Sequence, residues 1–242
     1  MAIYMDKMPF LWTFLNTFKI PNYIKNMPKI ALAELKKDME IRTSLISKGF
    51  TFKTTWGLFC PEEIDVGTKL LLKAISEDEN VLKVLGDGSG QSNQDKSESR
   101  TVKVLDIGCG YGPIGIAIAK AFPATSVDLI DKDFVAIEYS KKNAIENGTL
   151  NVAAFLSNGF SHVPADKRYS LIVSNLPAKV SKEFFWILFG ETFDHLETNG
   201  YFVVVVIKQL EIMARKNFNT LFGNSEVIAR DKTYSVVMTK KE

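Results

Sequence analysis

Val102-Lys-Val-Leu-Asp106-Ile-Gly108-Cys-Gly110-Tyr-Gly112-Pro-Ile-Gly115 is the stretch from which the fold of this 242-residue chain can be read. Its apolar run reads as a buried strand that ends near Asp106, passes a glycine-dense turn and enters a helix. Ile114, Ile116, Ala117, Ile118 and Ala119 supply that helix with apolar positions. Glycines at 108, 110 and 112 let main chain approach a ligand where a side chain would stand in the way. From Thr101 onward strand and helix patterns alternate, with strands predicted at 102–107, 126–130, 151–156, 170–174 and 201–207. Helices are predicted near 113–121, 134–147, 181–197 and 209–222. Alternation of this kind implies parallel strands joined by crossover helices in a doubly wound sheet. The tail departs from it. Glu226–Ala229 and Ser235–Thr239 read as strands joined by Arg230-Asp-Lys-Thr233, too short for a parallel crossover, so they form an antiparallel hairpin.

The composition is that of an ordinary globular chain, 46% hydrophobic and 24% charged, able to bury a core. The length suits one α/β domain with an extension. Its two cysteines, Cys60 and Cys109, offer neither a disulfide framework nor zinc-ligand spacing. No metal is expected, and a reducing, cytoplasmic setting is. Cys109 is read as small filling beside the glycine turn. Net charge is +2, but basic residues outnumber acidic ones eight to four between Met1 and Phe50, which suits nucleic-acid contact as well as a plain solvated surface. Phe10, Leu11, Trp12, Phe14, Leu15 and Phe18 recur at helical spacing and predict a short amphipathic docking helix. That run is too short for a membrane span and lacks a leader's small-residue cleavage site.

These features divide the chain into a helical extension at 1–35 and a domain at 36–242. Within the domain, Met39–Ile46 and Phe50–Thr54 are predicted to pair around Ser47-Lys48-Gly49. Asp65-Val-Gly67-Thr68 opens a helix whose apolar face holds Leu70, Leu71, Ala74 and Ile75. Residues 86–100 contain no apolar side chain and read as a mobile surface loop between the 36–85 part and the 101–242 core.

In an open α/β sheet a ligand lies across the carboxyl ends of the strands at the switch point in strand order. Gly110-Tyr-Gly-Pro-Ile-Gly115 satisfies G-x-G-x-x-G, and Asp131 lies near the offset of a ribose-binding acid, so the loop alone admits a nicotinamide dinucleotide. The D-I-G-C-G-Y-G run resembles motif I of class I S-adenosylmethionine (SAM) methyltransferases, and a parallel sheet closed by an antiparallel hairpin is their arrangement. In that reading Asp106 meets the aminoacyl end of the cofactor, Asp131 the ribose, and Asn158 the adenine amine. Asp128, on the opposite face of its strand, is read as a solubilising or surface-pairing residue.

The fourth strand end, S-L-I-V-S-Asn175-Leu-Pro-Ala-Lys, resembles the N-P-P-[FYW] motif of methyltransferases acting on a planar amide or exocyclic amine. Leu176 replaces the first proline and Ala178 the aromatic. The loop therefore forgoes proline's rigidity, and a flipped base would need another ring, from Phe59, Phe160 or Phe184-Phe185-Trp186. G-L-F-C-P-E-E-I-D-V-G-T and the tail through R-D-K-T-Y are similar to the methyltransferase small domain family, whose members near this chain resemble ribosomal RNA guanine-N2 methyltransferases.

The resemblance implies a Rossmann-like fold with SAM as cofactor and RNA as partner. It assigns Asp65, Gly67, Thr68, Asp106, Ile107, Gly108, Cys109, Gly110, Gly112, Asp131, Lys132, Asn158, Gly159 and Asn175 to the cofactor, and Asn175, Leu176 and Pro177 to the target amine. A protein glutamine or a small molecule could be methylated by the same motif, and a non-catalytic binding module is the remaining reading. His162 and His195 are read as surface residues. Lys179, Lys182, Lys208, Arg215 and Lys216 border the strand ends and could contact phosphates.

Overall fold

A computed structural model describes residues 37–86, 101–179 and 181–242. The proposed amphipathic segment at 10–18, the extension at 1–35 and nearly all of the 86–100 loop lie outside the described residues. Asp38–Glu242 form a unit by themselves.

Its centre is a sheet of seven strands. β3 (Val102–Ile107), β4 (Thr125–Asp131), β5 (Val152–Leu156), β6 (Tyr169–Asn175) and β7 (Leu196–Ile207) are parallel, and β8 (Glu226–Arg230) with β9 (Tyr234–Lys240) close the edge antiparallel. The order β5-β4-β3-β6-β7-β9-β8 makes the gap between β3 and β6 the switch point. Strand alternation splits the core in two. Val104, Val127, Leu171 and Val203 face α1 (Val66–Glu77), α3 (Pro113–Ala121) and α4 (Phe134–Glu146). Leu105, Ile107, Ile130 and Ile172 face α5 (Lys182–His195) and α6 (Lys208–Phe222), whose Phe185, Phe189, Phe218 and Phe222 pack with Phe202. A sheet covered on both faces explains why its strands are apolar without a break. α2 (Glu79–Leu85) follows α1 with Asp78 as its N-cap and buries Val81 and Leu85.

Gly115 sets the spacing between α3 and the sheet. A Cβ there would lie 2.1 Å from Leu129 Cδ2 and 3.2 Å from Asp106 Oδ2. Gly115→Ala is therefore expected to destabilise the fold by about 1–3 kcal/mol, the usual range for overpacking. Urea unfolding of variant and parent measures it.

The N-terminal hairpin pairs β1 (Met39–Leu45) with β2 (Lys48–Thr54). Its turn is the two residues Ile46 and Ser47, both left-handed at φ 47° and 58°, the twist that tight hairpins favour. The expected turn at Ser47–Gly49 is corrected accordingly; Lys48 and Gly49 belong to β2. Asn143 on α4 and Asn147, the C-cap of that helix, meet the main chain of β2. Asn147 Oδ1 accepts from Thr51 N and its Nδ2 donates to Thr51 O, while Asn143 makes the same pair of bonds to Lys53.

Three further expectations change. Asp128 does alternate to the second face, but it is buried there, accepting from the Tyr169 hydroxyl at 2.7 Å and pairing with Lys167. His195 is buried as well, stacked on Phe160 at 4.6 Å with Nδ1 2.8 Å from Lys167 O. On α1, Leu72 is buried and Leu70 only half-buried. No helix among the described residues is long and apolar enough to cross a membrane.

Candidate active site at the carboxyl edge of the sheet

The carboxyl ends of β3, β4, β5 and β6 bring together most residues singled out in the sequence. Gly108 and Cys109 donate from their main-chain N–H groups to Ile130 O at 2.8 and 3.0 Å, tying the glycine turn to β4. Asp131 bridges the same gap, with Oδ2 accepting from Gly110 N and Oδ1 from Asp133 N, both at 2.9 Å. The glycines serve two purposes. At Gly112 an added Cβ would strike Ile116 Cδ1 at 2.6 Å, so that position is fixed by packing within the protein. Gly108 and Gly110 have φ of 68° and 55°, and a Cβ on either would meet no protein atom within 4 Å. Their left-handed backbone thus borders open space, a cradle that side chains would fill.

Asp106 lies beneath this turn with no exposure. Oδ2 accepts from Gly115 N at 2.9 Å, while Oδ1 is the buried side-chain atom among the described residues that lacks a hydrogen-bond partner. Burial raises its pKa to about 7; the Gly115 N–H works against that rise and the Asp131 carboxylate adds to it. A buried acceptor left without a donor costs about 1–3 kcal/mol. Cys109 is buried beside it and burial pushes its thiol far up, consistent with a filling role.

Asn175 ends β6 with its amide held on two sides. Nδ2 donates to Asp65 Oδ2 at 2.8 Å and to Thr68 Oγ1 at 3.1 Å. A carboxylate accepts and cannot donate, so the amide nitrogen faces Asp65 and Oδ1 is directed elsewhere. Asp65 is itself the N-cap of α1, accepting from Thr68 N at 3.1 Å, and its Oδ1 accepts from the Tyr234 hydroxyl at 3.3 Å. Gly67 leaves room for that tyrosine, whose ring would lie 3.0 Å from a Cβ at 67. Asp65, Gly67 and Thr68 therefore stand behind Asn175 as its support. Tyr234 was not picked out from the sequence as a site residue; only the R-D-K-T-Y stretch hinted at it. Burial, with Asp65 nearby, raises its phenol pKa.

Leu176 answers for the missing proline. Its N–H donates to Val205 O at 3.0 Å, extending the β6–β7 ladder one residue past Asn175, and its side chain is buried. A proline could not make that bond. Leu176→Pro is accordingly expected to cost about 1–2 kcal/mol of stability and to give no gain in turnover. Urea unfolding and single-turnover assays check both halves.

Pro177 is exposed beyond it. Ser174, unnoticed in the sequence, donates from Oγ to Ile107 O at 2.8 Å and pins β3 to β6 where their ladder ends. Lys132 and Asn158 are exposed, and Gly159 turns the β5 end at φ 56°. Of the rings considered for stacking, Phe160 and Phe185 are buried in the second core and unavailable.

The model of the methyltransferase small domain matches residues 49–238. The chain belongs to the methyltransferase small domain family. This SAM-dependent methyltransferase is 31% identical over 198 residues to the Bacillus subtilis uncharacterized protein YbxB, across 81% of this chain and 89% of the relative. It is 31% identical to the Salmonella typhi ribosomal RNA small subunit methyltransferase C over 80% of this chain and 51% of that protein. The Buchnera aphidicola protein of the same name is 29% identical over 79% of this chain and 50% of its own length. The methyltransferase thus spans about half the length of those rRNA enzymes.

Among solved structures, the T. thermophilus 16S rRNA N2 G1207 methyltransferase (RsmC), bound to AdoMet and guanosine, superposes with a TM-score of 0.68 at 20% identity. The match covers 89% of this chain and 52% of that one. That likeness is one of fold. The glycine cradle and the incomplete hydrogen bonding of Asp106 fit a cofactor carrying an aminoacyl group.

Proposed function

We propose that this methyltransferase modifies the exocyclic N2 amine of a guanine in ribosomal RNA. The observation that carries the reading is the anchored Asn175 amide. With its nitrogen committed to Asp65 and Thr68, Oδ1 accepts one hydrogen of a planar amine, and the Leu176 carbonyl accepts the other. Both contacts hold the amine so that its lone pair projects out of the base plane. SAM, when bound, supplies a methyl group on a sulfonium centre that leaves as a neutral thioether. Transfer to such a nitrogen asks for alignment more than for acid–base assistance, the methylated amine then shedding one N–H proton to water. Positioning alone is worth up to about 7–11 kcal/mol.

In this reading Gly108 and Gly110 receive the cofactor's main body along exposed main chain. Asp106, enclosed beneath the turn, would act on its aminoacyl ammonium by its charge or through a buried water, and Asp131 would accept from the ribose hydroxyls while keeping the turn closed. Lys132, Asn158 and Gly159 border the base-binding end. The names of the Salmonella and Buchnera relatives support an RNA substrate, as does the basic leading segment.

The test is transfer of labelled methyl from SAM to ribosomal subunits, to protein-free rRNA and to an RNA-depleted lysate. Label in N2-methylguanine supports the reading. Label in a glutamine side chain, or no label in RNA, overturns it. RNA binding should weaken steeply with salt, because phosphate contacts release counterions.

A further inference from the structure

We propose that Phe59 is the stacking platform for the target base, in place of the ring that Ala178 does not supply. The inference rests on the RNA guanine reading above. Phe59 is 64% exposed, yet the loop carrying it is held on every side. Thr54 Oγ1 donates to Pro61 O across the loop base, Leu58 N donates to Thr55 O, and the Leu58 side chain is buried. The Tyr111 hydroxyl, rooted in the glycine turn, lies 3.3 Å from the carbonyl oxygens of both Cys60 and Glu63. Cys60 has φ of 44°, in the left-handed region that a residue with a side chain seldom occupies. Backbone strain of that kind collects at functional sites, where surrounding contacts maintain it.

The strained residue connects Phe59 to the anchored amide. Cys60 Sγ lies 4.0 Å from Asp65 Oδ1, and Asp65 Oδ2 holds Asn175 Nδ2 at 2.8 Å. An apolar ring kept in solvent on a fixed loop, adjacent in the chain to Cys60 and linked through Cys60 and Asp65 to the Asn175 amide that would orient the amine, is an arrangement suited to a flipped base. Trp56, on this same loop, and Phe134, at the start of α4, are exposed rings as well, whereas Phe184 and Trp186 are less suited. Phe184 and Trp186 ride on α5, which packs on the second face of the sheet, whereas the Asn175 amide is held by α1 on the first. Phe184 also packs edge-on against Phe185 at 5.7 Å.

Stacking of one base on an aromatic side chain predicts the size of the effect. Phe59→Ala and Phe59→Leu should each lower kcat/KM for RNA about 10- to 100-fold, mostly through KM, with SAM affinity by calorimetry unchanged. Phe59→Trp and Phe59→Tyr should keep activity within about threefold of the parent. Trp186→Ala should behave as the parent. Phe59→Leu separates stacking from simple apolar contact, because it keeps bulk and loses the ring. Leucine restoring activity, or alanine leaving it intact while Asn175→Ala is inactive on RNA, overturns the platform alone. Parent protein that labels no RNA overturns the platform together with the guanine reading.

Discussion

Asn175→Ala is expected to lower kcat on the RNA substrate by about 100- to 1,000-fold, the scale on which one preorganised hydrogen-bonding group contributes. KM for SAM should change little, since the amide faces the amine and its support lies in α1. Asn175→Asp is the sharper variant. It keeps the accepting oxygen but replaces the donor with a second acceptor 2.8 Å from Asp65 Oδ2. Two carboxylates at that distance repel, so one must hold a proton or swing away. The variant should be as slow as alanine at pH 8 and recover part of its activity as the pH is lowered and the pair takes up a proton. Single-turnover assays between pH 5.5 and 8.5 read this directly. An alanine variant as fast as the parent would remove the amide from the mechanism.

The second large effect concerns Asp106. Its carboxyl holds a proton up to about pH 7 when folded, against an ordinary value of 3.8. The folded chain therefore binds a proton that the unfolded chain has released, so stability falls as pH rises from about 4 to about 7 and levels off above. At about 1.4 kcal/mol per decade the loss is on the order of 4 kcal/mol. Asp106→Asn cannot ionise, and in the ligand-free protein it should remove this fall. The difference in unfolding free energy between parent and variant should then move in the variant's favour between pH 4 and 8.

The same substitution should weaken SAM at least tenfold, because the amide brings no negative charge to the ammonium. Binding to the parent near pH 6.5 should release a proton, seen by calorimetry in buffers of different ionisation enthalpy. A parent and variant with parallel pH profiles and equal affinities would leave Asp106 a purely structural residue.

The sheet was legible because its signals are local. β3 and α3 fall where periodicity puts them, and the short connection at 230–233 dictates the antiparallel edge. β7 was read too short, since Leu196 and Glu197 were given to the preceding helix and Thr198-Asn-Gly200 looks like a loop, whereas all five residues belong to the strand. The hairpin turn was misplaced because Gly49 drew attention from Ile46 and Ser47, two side-chain-bearing residues in the left-handed region. The exposure of Asp128 and His195 was misread for a different reason: their partners Tyr169, Lys167 and Phe160 come from other elements.

The site shows the same division. The types and order of Asp106, Gly108, Gly110, Asp131 and Asn175 could be read as motifs. Which way the Asn175 amide points could not, because Asp65 and Thr68 are more than a hundred positions away along the chain. Nor could a motif written in letters show that a leucine N–H would do what proline rigidity does elsewhere.

The carboxamides of Asn143 and Asn147 have one more effect. The outward main-chain groups of Thr51 and Lys53 would ordinarily make β2 an open rim, able to recruit a strand from a neighbouring molecule. Asn143 and Asn147 saturate those groups from within the same molecule. The small ribbon is in that way proofed against self-association on that flank by carboxamides of its own molecule, with neither proline nor a bulge.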